Sequence, residues 1–193
     1  MARISIPEDQ QADPFGYAAR NHAVPIVAAS GAFAAAVYRE SALPLREFEG
    51  ARMRTAQING CMVCKTLRAE RDVPQLYSVA GDPGQKLVTG NGPAPDEAFY
   101  EAVAEWRTSP LFSERERLAI EFAERFGTEP QVLASDEGFW ARMKAAFSDG
   151  EIVDLAHCTA AWAGLGRVAH VLGFDTVCLA GLNSGQEAGR AAA

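Results

Sequence analysis

The sequence lacks the features that direct a protein to a nucleic acid, a membrane or a secretory pathway. It contains no basic block, and its formal net charge of -7 disfavours a polyanionic partner such as DNA or RNA. No apolar run approaches the ~20 residues that cross a bilayer, and the N-terminal segment has no apolar core typical of a signal peptide. We therefore expect a cytoplasmic protein with neither a nucleic-acid partner nor a membrane partner.

Strand patterns are absent as well, because no stretch of useful length alternates apolar and polar residues. Helix signals are frequent instead: Ser113 and Ser148 each stand three residues before a glutamate, as in a capping box, and Ser135 can cap another helix. The predicted helices cover 22–40, 44–58, 61–71, 96–107, a segment after Ser113, a segment after Ser135, and 149–172. We predict an all-α fold with the long apolar helix at its centre, and an oligomeric assembly.

The length of 193 residues suits one domain with terminal extensions. Residues 1–21 are polar and contain two prolines, so we predict an N-terminal arm that packs on a neighbouring subunit. The helical domain is predicted to cover 22–183, followed by a C-terminal tail at 184–193. Within the domain, residues 72–95 are rich in glycine and proline and are predicted to form a long loop, of the kind that often covers a functional site.

Cysteine is scarce, and two of the four cysteines, Cys61 and Cys64, form a Cys-x-x-Cys pair. Asn59-Gly60 directly precedes the pair and should end one helix, so that Cys61 begins the next. Both thiols then share one face of a first helical turn, where N–H groups and the helix dipole favour a thiolate. A thiolate of lowered pKa beside a second thiol predicts a redox function.

Two alternatives for the pair remain open at this point: two buried structural thiols, or half of a zinc site. The zinc alternative requires two more ligands, and the sequence has no second Cys-x-x-Cys and no paired histidines. Cys158 and Cys178 lie in apolar context and are expected in the core. Of the three histidines, His157 is the candidate for a catalytic role, because its long helix should pack near the cysteines.

Glu49 stands twelve residues before Cys61, and the resulting E-x(11)-C-x-x-C pattern resembles the core motif of the alkyl hydroperoxidase D / carboxymuconolactone decarboxylase family. Residues 111–123 and 139–155 are similar to the second half of that family, and the resemblance covers roughly residues 40–175. It implies an all-α fold, usually trimeric or hexameric. It also implies a peroxidase or thiol–disulfide function that uses no metal and no organic cofactor.

The resemblance also assigns roles to individual residues. Cys64 would attack the peroxide, Cys61 would resolve the product, and Glu49 would belong to a proton relay. The family's relay histidine, four residues after the second cysteine, is replaced here by Arg68, which cannot act as a base near neutral pH. Arg68 could still stabilise a thiolate, since the predicted helix places it one turn from Cys64.

Glu49 and Arg68 each have an alternative interpretation without a catalytic role. Glu49 could be a solvated helix carboxylate, and Arg68 could be a surface charge paired to Glu70 or Asp72. The expected partners are a small-molecule peroxide, a thiol or disulfide reductant protein, and further copies of the chain in a trimer, dimer or hexamer. The alternative functions are a decarboxylase acting on a lactone, an activity of family members without the cysteine pair, and a non-enzymatic stress-response subunit with vestigial thiols.

Overall fold

The computed structural model of the protein describes residues 2–78 and 85–175. These residues form ten α-helices and three short 3₁₀ turns, with no strand among them, which confirms the predicted all-α fold. No helix in these two ranges has the combined length and apolarity that a membrane crossing requires. The helices are α1 Pro14–Asn21, α2 Val24–Glu40, α3 Leu45–Asn59, α4 Met62–Thr66, α5 Ala69–Tyr77, α6 Glu97–Ala102, α7 Glu114–Thr128, α8 Pro130–Ser135, α9 Glu137–Ala146 and α10 Asp149–Val171.

The central helix is α3, which packs against α7 and α10 and also contacts α4. Eleven of its fifteen residues are buried, including charged ones. The prediction that the long helix α10 forms the centre is wrong. Although α10 contributes Leu155 and Trp162 to the core, it exposes Val153 and Val171 to solvent. An apolar composition alone does not place a helix at the centre, because folded proteins leave much apolar surface exposed.

Helix caps predicted from the sequence are mostly confirmed. Ser113 begins α7 and Ser148 begins α10, each with both hydrogen bonds of a capping box. The cap of α9 is a correction: the side chain of Asp136, not that of Ser135, accepts a hydrogen bond from the Phe139 amide at 2.9 Å. Ser135 is instead the last residue of α8, a short helix that the sequence pattern did not predict.

The helix predicted at 61–71 is in fact two helices. α4 ends at Thr66, Leu67 and Arg68 have extended backbone conformations, and α5 begins at Ala69. The predicted loop at 72–95 therefore begins later, because α5 continues through Pro74 to Tyr77. Pro74 lacks an N–H and removes one hydrogen bond from the helix without ending it.

The N-terminal arm packs on its own chain. The Arg3 amide donates to the Leu172 carbonyl at 2.9 Å, and the rings of Phe15 and Phe174 meet edge to face at 5.3 Å. Packing of this arm on a neighbouring subunit stays a prediction. The predicted domain end at 183, the tail at 184–193 and Cys178 lie outside the described residues.

Candidate active site

The cysteine pair follows the sharp end of α3. Gly60 has φ +70°, the left-handed region that glycine reaches without steric cost, and it ends α3 directly after Asn59. Cys61 is the N-cap residue of α4, so the predicted turn and the predicted start of the next helix are confirmed. The local sequence therefore determines where the pair lies relative to α3.

Cys61 and Cys64 are joined by a disulfide bond, with 5.3 Å between their Cα atoms. Cys61 is completely buried, whereas Cys64 is half-buried. The Cys64 amide donates a hydrogen bond to the Cys61 sulfur at 3.3 Å. Because α4 has only five residues, few peptide dipoles align to stabilise a negative charge on sulfur. The Cys64 amide is the hydrogen-bond donor that the helix start supplies to the Cys61 sulfur. The lowered thiol pKa stays a prediction.

Next to α4, the cysteine helix, lies a buried ion pair between Glu49 and Arg52, whose side chains are 0% and 2% exposed. Arg52 binds the carboxylate through two atoms, at 2.5 Å from Nε and 3.0 Å from Nη2. The Tyr100 hydroxyl donates to the same carboxylate at 2.5 Å, and the Ala69 amide donates at 3.3 Å. Glu49 is therefore a buried and fully partnered carboxylate, and the alternative of a solvated helix residue is wrong.

Arg52, which the sequence analysis did not identify, connects this ion pair to the cysteine helix. Its guanidinium donates to the Cys64 carbonyl at 2.6 Å and to the Leu67 carbonyl at 2.8 Å. Burial acts to lower the pKa of Arg52, but the charge and hydrogen bonds of Glu49 outweigh it and raise that pKa. The only sequence signal was an arginine three residues after Glu49 on the same helix.

The buried pair also affects Tyr100. Burial, and then the negative charge of Glu49, raise the pKa of Tyr100 above its ordinary value. The phenol is therefore protonated at neutral pH and donates its hydrogen bond to the carboxylate.

Arg68 does not occupy the position that the sequence predicted. The break between α4 and α5 removes the continuous helix that would have placed it one turn from Cys64. Its guanidinium instead pairs with Glu97 at 2.8 and 2.7 Å and lies over the Tyr100 ring at 4.1 Å. The hydrogen bonds from Arg68 lower the pKa of Glu97. The alternative of a surface pair with Glu70 or Asp72 names the wrong partner. From Arg68, Asp72 accepts a hydrogen bond from the backbone amide and not from the guanidinium.

The two histidines of α10 differ in their surroundings. The exposed His157 ring lies 2.9 Å from the Val153 carbonyl of its own helix, so its contact is local to α10. His170, near the end of α10, instead has its Nδ1 atom 2.9 Å from the Asp175 carboxylate. Asp175 in turn accepts a hydrogen bond from the Met62 amide at 3.0 Å. The structure therefore brings His170, rather than the predicted His157, to the cysteine helix.

One face of α10 packs on residues 59–64, which we call the cysteine turn. A Cβ atom placed at Gly166 would lie 3.8 Å from the Cys64 sulfur and 2.6 Å from the Asn59 amide nitrogen. That amide nitrogen donates to the Trp162 carbonyl at 2.9 Å, which fixes α10 on the end of α3. The absence of a side chain at Gly166 therefore lets α10 approach closely beside Cys64.

Among the described residues, no group of three or more histidine, cysteine, aspartate and glutamate side chains is arranged to hold a metal ion. In this part of the chain the zinc alternative has two candidate ligands, Cys61 and Cys64, and these are bonded to each other.

Comparison with known proteins gives one short sequence match. No family model matches the chain. A stretch of 54 residues is 43% identical to the uncharacterized protein YnjA of Escherichia coli K12. This match covers 28% of the chain and only 29% of the length of that relative.

Comparison with solved structures gives a match over most of the chain. The fold is similar to a crystal structure from Agrobacterium tumefaciens, described as a protein of unknown function and "Putative Antioxidant Defence Protein AhpD", with a TM-score of 0.57. The match covers 89% of this chain and 95% of that one, at 20% sequence identity. At this identity the match establishes the fold alone. The chain therefore has the AhpD-like all-α fold that its E-x(11)-C-x-x-C pattern implies.

Proposed function

We propose that the protein is a thiol-dependent peroxidase and disulfide oxidoreductase that uses Cys61 and Cys64 to reduce a hydroperoxide. The observation that carries this proposal is the bonded cysteine pair, with one sulfur-bearing residue half-buried and the other completely buried. A disulfide between residues three apart forms without a large backbone movement, as a reversible redox pair requires.

The reaction balances with two electrons and two protons from the thiols. The Cys64 thiolate attacks the terminal peroxide oxygen, the O–O bond breaks, and the alkoxide leaves with one proton as an alcohol. Cys64 is then a sulfenic acid. The Cys61 thiolate attacks its sulfur, and hydroxide leaves with the second proton as water. The products are one alcohol, one water molecule and the Cys61–Cys64 disulfide.

The difference in burial supports the assignment of roles. A peroxide or a reductant must reach the sulfur that it attacks, and Cys64 is the more accessible residue of the pair. When a thiolate of a reductant protein attacks Cys64, Cys61 leaves as a thiolate. The Cys64 amide already donates to that sulfur and stabilises its negative charge.

Glu49 and Arg68 take supporting roles in this proposal. The Glu49 carboxylate already accepts hydrogen bonds from Arg52, Tyr100 and Ala69, so it is poorly suited to act as a base. We infer that Glu49 positions the cysteine helix by fixing Arg52. Arg68 pairs with Glu97, and this opposite charge weakens the effect of Arg68 on a Cys64 thiolate.

The experiment is single-turnover reduction of a hydroperoxide by the reduced protein. Cys64→Ser should abolish peroxide consumption, and Cys61→Ser should stop at a sulfenic acid that dimedone traps. Cys158→Ser is the matched control, because that thiol is buried and its pKa is raised, first by burial and then by Asp154.

Two outcomes would contradict the proposal. Cys64→Ser could consume peroxide as fast as the wild type, which would refute the assigned thiol. The second outcome is that Cys61 and Cys64 both react with a chromogenic disulfide no faster than free cysteine does. That result would favour the stress-response subunit with vestigial thiols or the lactone decarboxylase.

We also propose that the protein forms a homo-oligomer through α2. From Val24 to Tyr38 this helix has no charged residue, and Ile26 and Phe33 are exposed by 74% and 39%. A helix that is apolar on all sides is normally buried, and a second copy of the chain would bury it. Sedimentation should show a dimer, trimer or hexamer that Ile26→Glu dissociates; a monomer in the wild type would refute this.

A further inference from the structure

The end of α10 places a histidine and a buried carboxylate against the cysteine turn. His170 lies one helical turn after Gly166, and Gly166 is the residue packed beside the Cys64 sulfur. The same face of α10 therefore contacts the turn twice. A Cβ atom placed at Gly60 would lie 3.3 Å from Nε2 of His170, so this ring edge lies against the residue that precedes Cys61.

The carboxylate of Asp175 determines which ring nitrogen carries the proton. Its side chain is 2% exposed, and burial acts to raise its pKa. Hydrogen bonds from His170 and from the Met62 amide outweigh burial, so the pKa of Asp175 lies below its ordinary value. A deprotonated carboxylate only accepts hydrogen bonds, so Nδ1 of His170 must be the donor. In the neutral ring, Nε2 is then the acceptor and faces the cysteine turn.

We propose that His170 transfers protons to and from the cysteine pair, and that Asp175 is its positioning residue. This inference rests on the proposed thiol chemistry. It supplies an acid–base group that neither the fully partnered Glu49 nor Arg68, which is paired with Glu97, provides.

Each proton has a source and a destination in this proposal. His170 accepts the proton that the Cys64 thiol loses and returns it, through a bridging water, to the alkoxide that leaves the peroxide. It then accepts the proton of Cys61 and delivers it to the hydroxide that leaves the sulfenic acid. During reduction of the disulfide the same ring protonates the leaving thiolate of Cys61. No electron passes through His170.

The surroundings of His170 suit this exchange. Its side chain is 51% exposed, so it can exchange protons with solvent. Asp175 is the charged side chain in contact with the ring. On α10, the Arg167 guanidinium binds the Gly127 carbonyl. From the cysteine turn, backbone atoms face His170 and Asp175, at Gly60 and at the Met62 amide. From the N-terminal arm, Arg3 approaches through its backbone amide on Leu172.

The test uses His170→Asn in the full chain. The asparagine side-chain N–H can replace Nδ1–H as donor to Asp175, so the contact with the cysteine helix is kept while the titrating ring is lost. His22→Asn is the matched control, because His22 is an exposed histidine that contacts the Tyr17 ring at the end of α1. Three rates are measured from pH 5 to 9: reduction of the disulfide by dithiothreitol, oxidation of the dithiol by hydroperoxide, and alkylation by iodoacetamide.

Reduction by dithiothreitol decides the inference, whether or not the protein is a peroxidase. His170→Asn should be slower than the wild type at the acidic end of this range, and the difference should shrink towards the alkaline end, because only a protonated ring can donate a proton to the leaving thiolate. If His170→Asn and His22→Asn both match the wild type at every pH, the inference is refuted. Failure of the wild type to consume peroxide refutes the proposed peroxidase function instead, and leaves this result interpretable.

The other two rates separate proton transfer from thiol activation. If the protein consumes peroxide, His170→Asn should slow that step on the order of 100-fold, a usual contribution of general acid–base catalysis. Alkylation should slow by a smaller factor, because it requires only the loss of the thiol proton and iodide leaves without a proton. An equal loss in both rates would contradict proton transfer. Asp175→Asn should slow reduction by dithiothreitol at the same acidic pH, since a neutral amide does not stabilise the protonated ring as a carboxylate does.

Discussion

Two pairs of polar side chains contact the cysteine helix, and they differ in their access to water. The Glu49–Arg52 pair lies underneath, with side chains that are 0% and 2% exposed. The His170–Asp175 pair lies at the edge, where the histidine side chain is 51% exposed. Both pairs bind backbone atoms of the cysteine segment, the first through the carbonyls of Cys64 and Leu67 and the second through the Met62 amide.

The difference separates a pair that water does not reach from a pair whose histidine contacts solvent. Loss of a charge is costly in the buried pair, because each ion would be left without its partner in a medium of low dielectric constant. The histidine side chain of the second pair is open to solvent, so water can deliver a proton to it. We infer that the first pair fixes the geometry of the disulfide and that the second moves protons.

Removal of the buried arginine should have the largest effect. Arg52→Ala leaves the Glu49 carboxylate buried without its ion pair, and it frees the carbonyls of Cys64 and Leu67. We expect a loss of about 3–5 kcal/mol in the free energy of unfolding, measured by urea denaturation. Arg142→Ala is the control, since its pair with Glu121 is on the surface and should contribute at most about 1 kcal/mol. Equal losses in the two variants would contradict a structural role for the buried pair.

Tyr100 gives the buried pair a distinctive dependence on alkaline pH. Because the folded state raises the pKa of Tyr100, its stabilisation is complete below the unfolded value of about 10 and is lost as pH rises above it. Tyr100→Phe should cost about 1.5–3 kcal/mol at pH 7, because Glu49 loses a donor. This difference in unfolding free energy should shrink above pH 10. A constant difference up to pH 11 would show that Tyr100 ionises equally in both states.

Two glycines of α10 test how closely this helix packs on Asn59 and Cys64. Gly166→Ala should cost about 1–3 kcal/mol, because the new methyl group would overlap the buried Asn59 beside Cys64. Gly164→Ala meets no atom within 4 Å and should stabilise the helix by about 0.4–1 kcal/mol. Thermal unfolding compares the two variants. Equal shifts of the same sign would refute the close packing of α10 on the cysteine turn.

Arg68 should give the smallest effect. Arg68→Ala removes an ion pair with the exposed Glu97 and a guanidinium that lies over the Tyr100 ring, so we expect a loss of about 1 kcal/mol in the free energy of unfolding. Because Glu97 balances the charge of Arg68, alkylation of the reduced Cys64 should change by less than roughly threefold. A larger drop in that rate would restore Arg68 as the residue that stabilises the thiolate.

Part of this site is determined by local sequence. The Asn59-Gly60 turn and the start of a new helix at Cys61 are predictable, because glycine tolerates positive φ and its neighbours decide where a helix ends. The capping boxes at Ser113 and Ser148 were predicted for the same reason. Each of these features depends on residues within one helical turn of each other.

The helix break was not predictable in this way. Residues 61–71 contain no glycine or proline, yet the chain leaves the helix at Leu67 and Arg68. The carbonyl of Leu67, free of a helical partner at the break, accepts a hydrogen bond from Arg52 of the central helix. A contact between helices therefore accompanies a break that local propensity does not indicate.

By itself, the sequence determined the helical class, the cysteine spacing and the turn that begins α4, because these depend on neighbouring residues. Only the tertiary structure decided that Glu49 is buried against Tyr100, 51 residues away, and that Asp175 reaches Met62, 113 residues away. The identity of a charged residue does not indicate whether water or another charge will be its partner. That outcome depends on how α3, α10 and the cysteine helix pack, and packing sets both the burial and the partner of each charge.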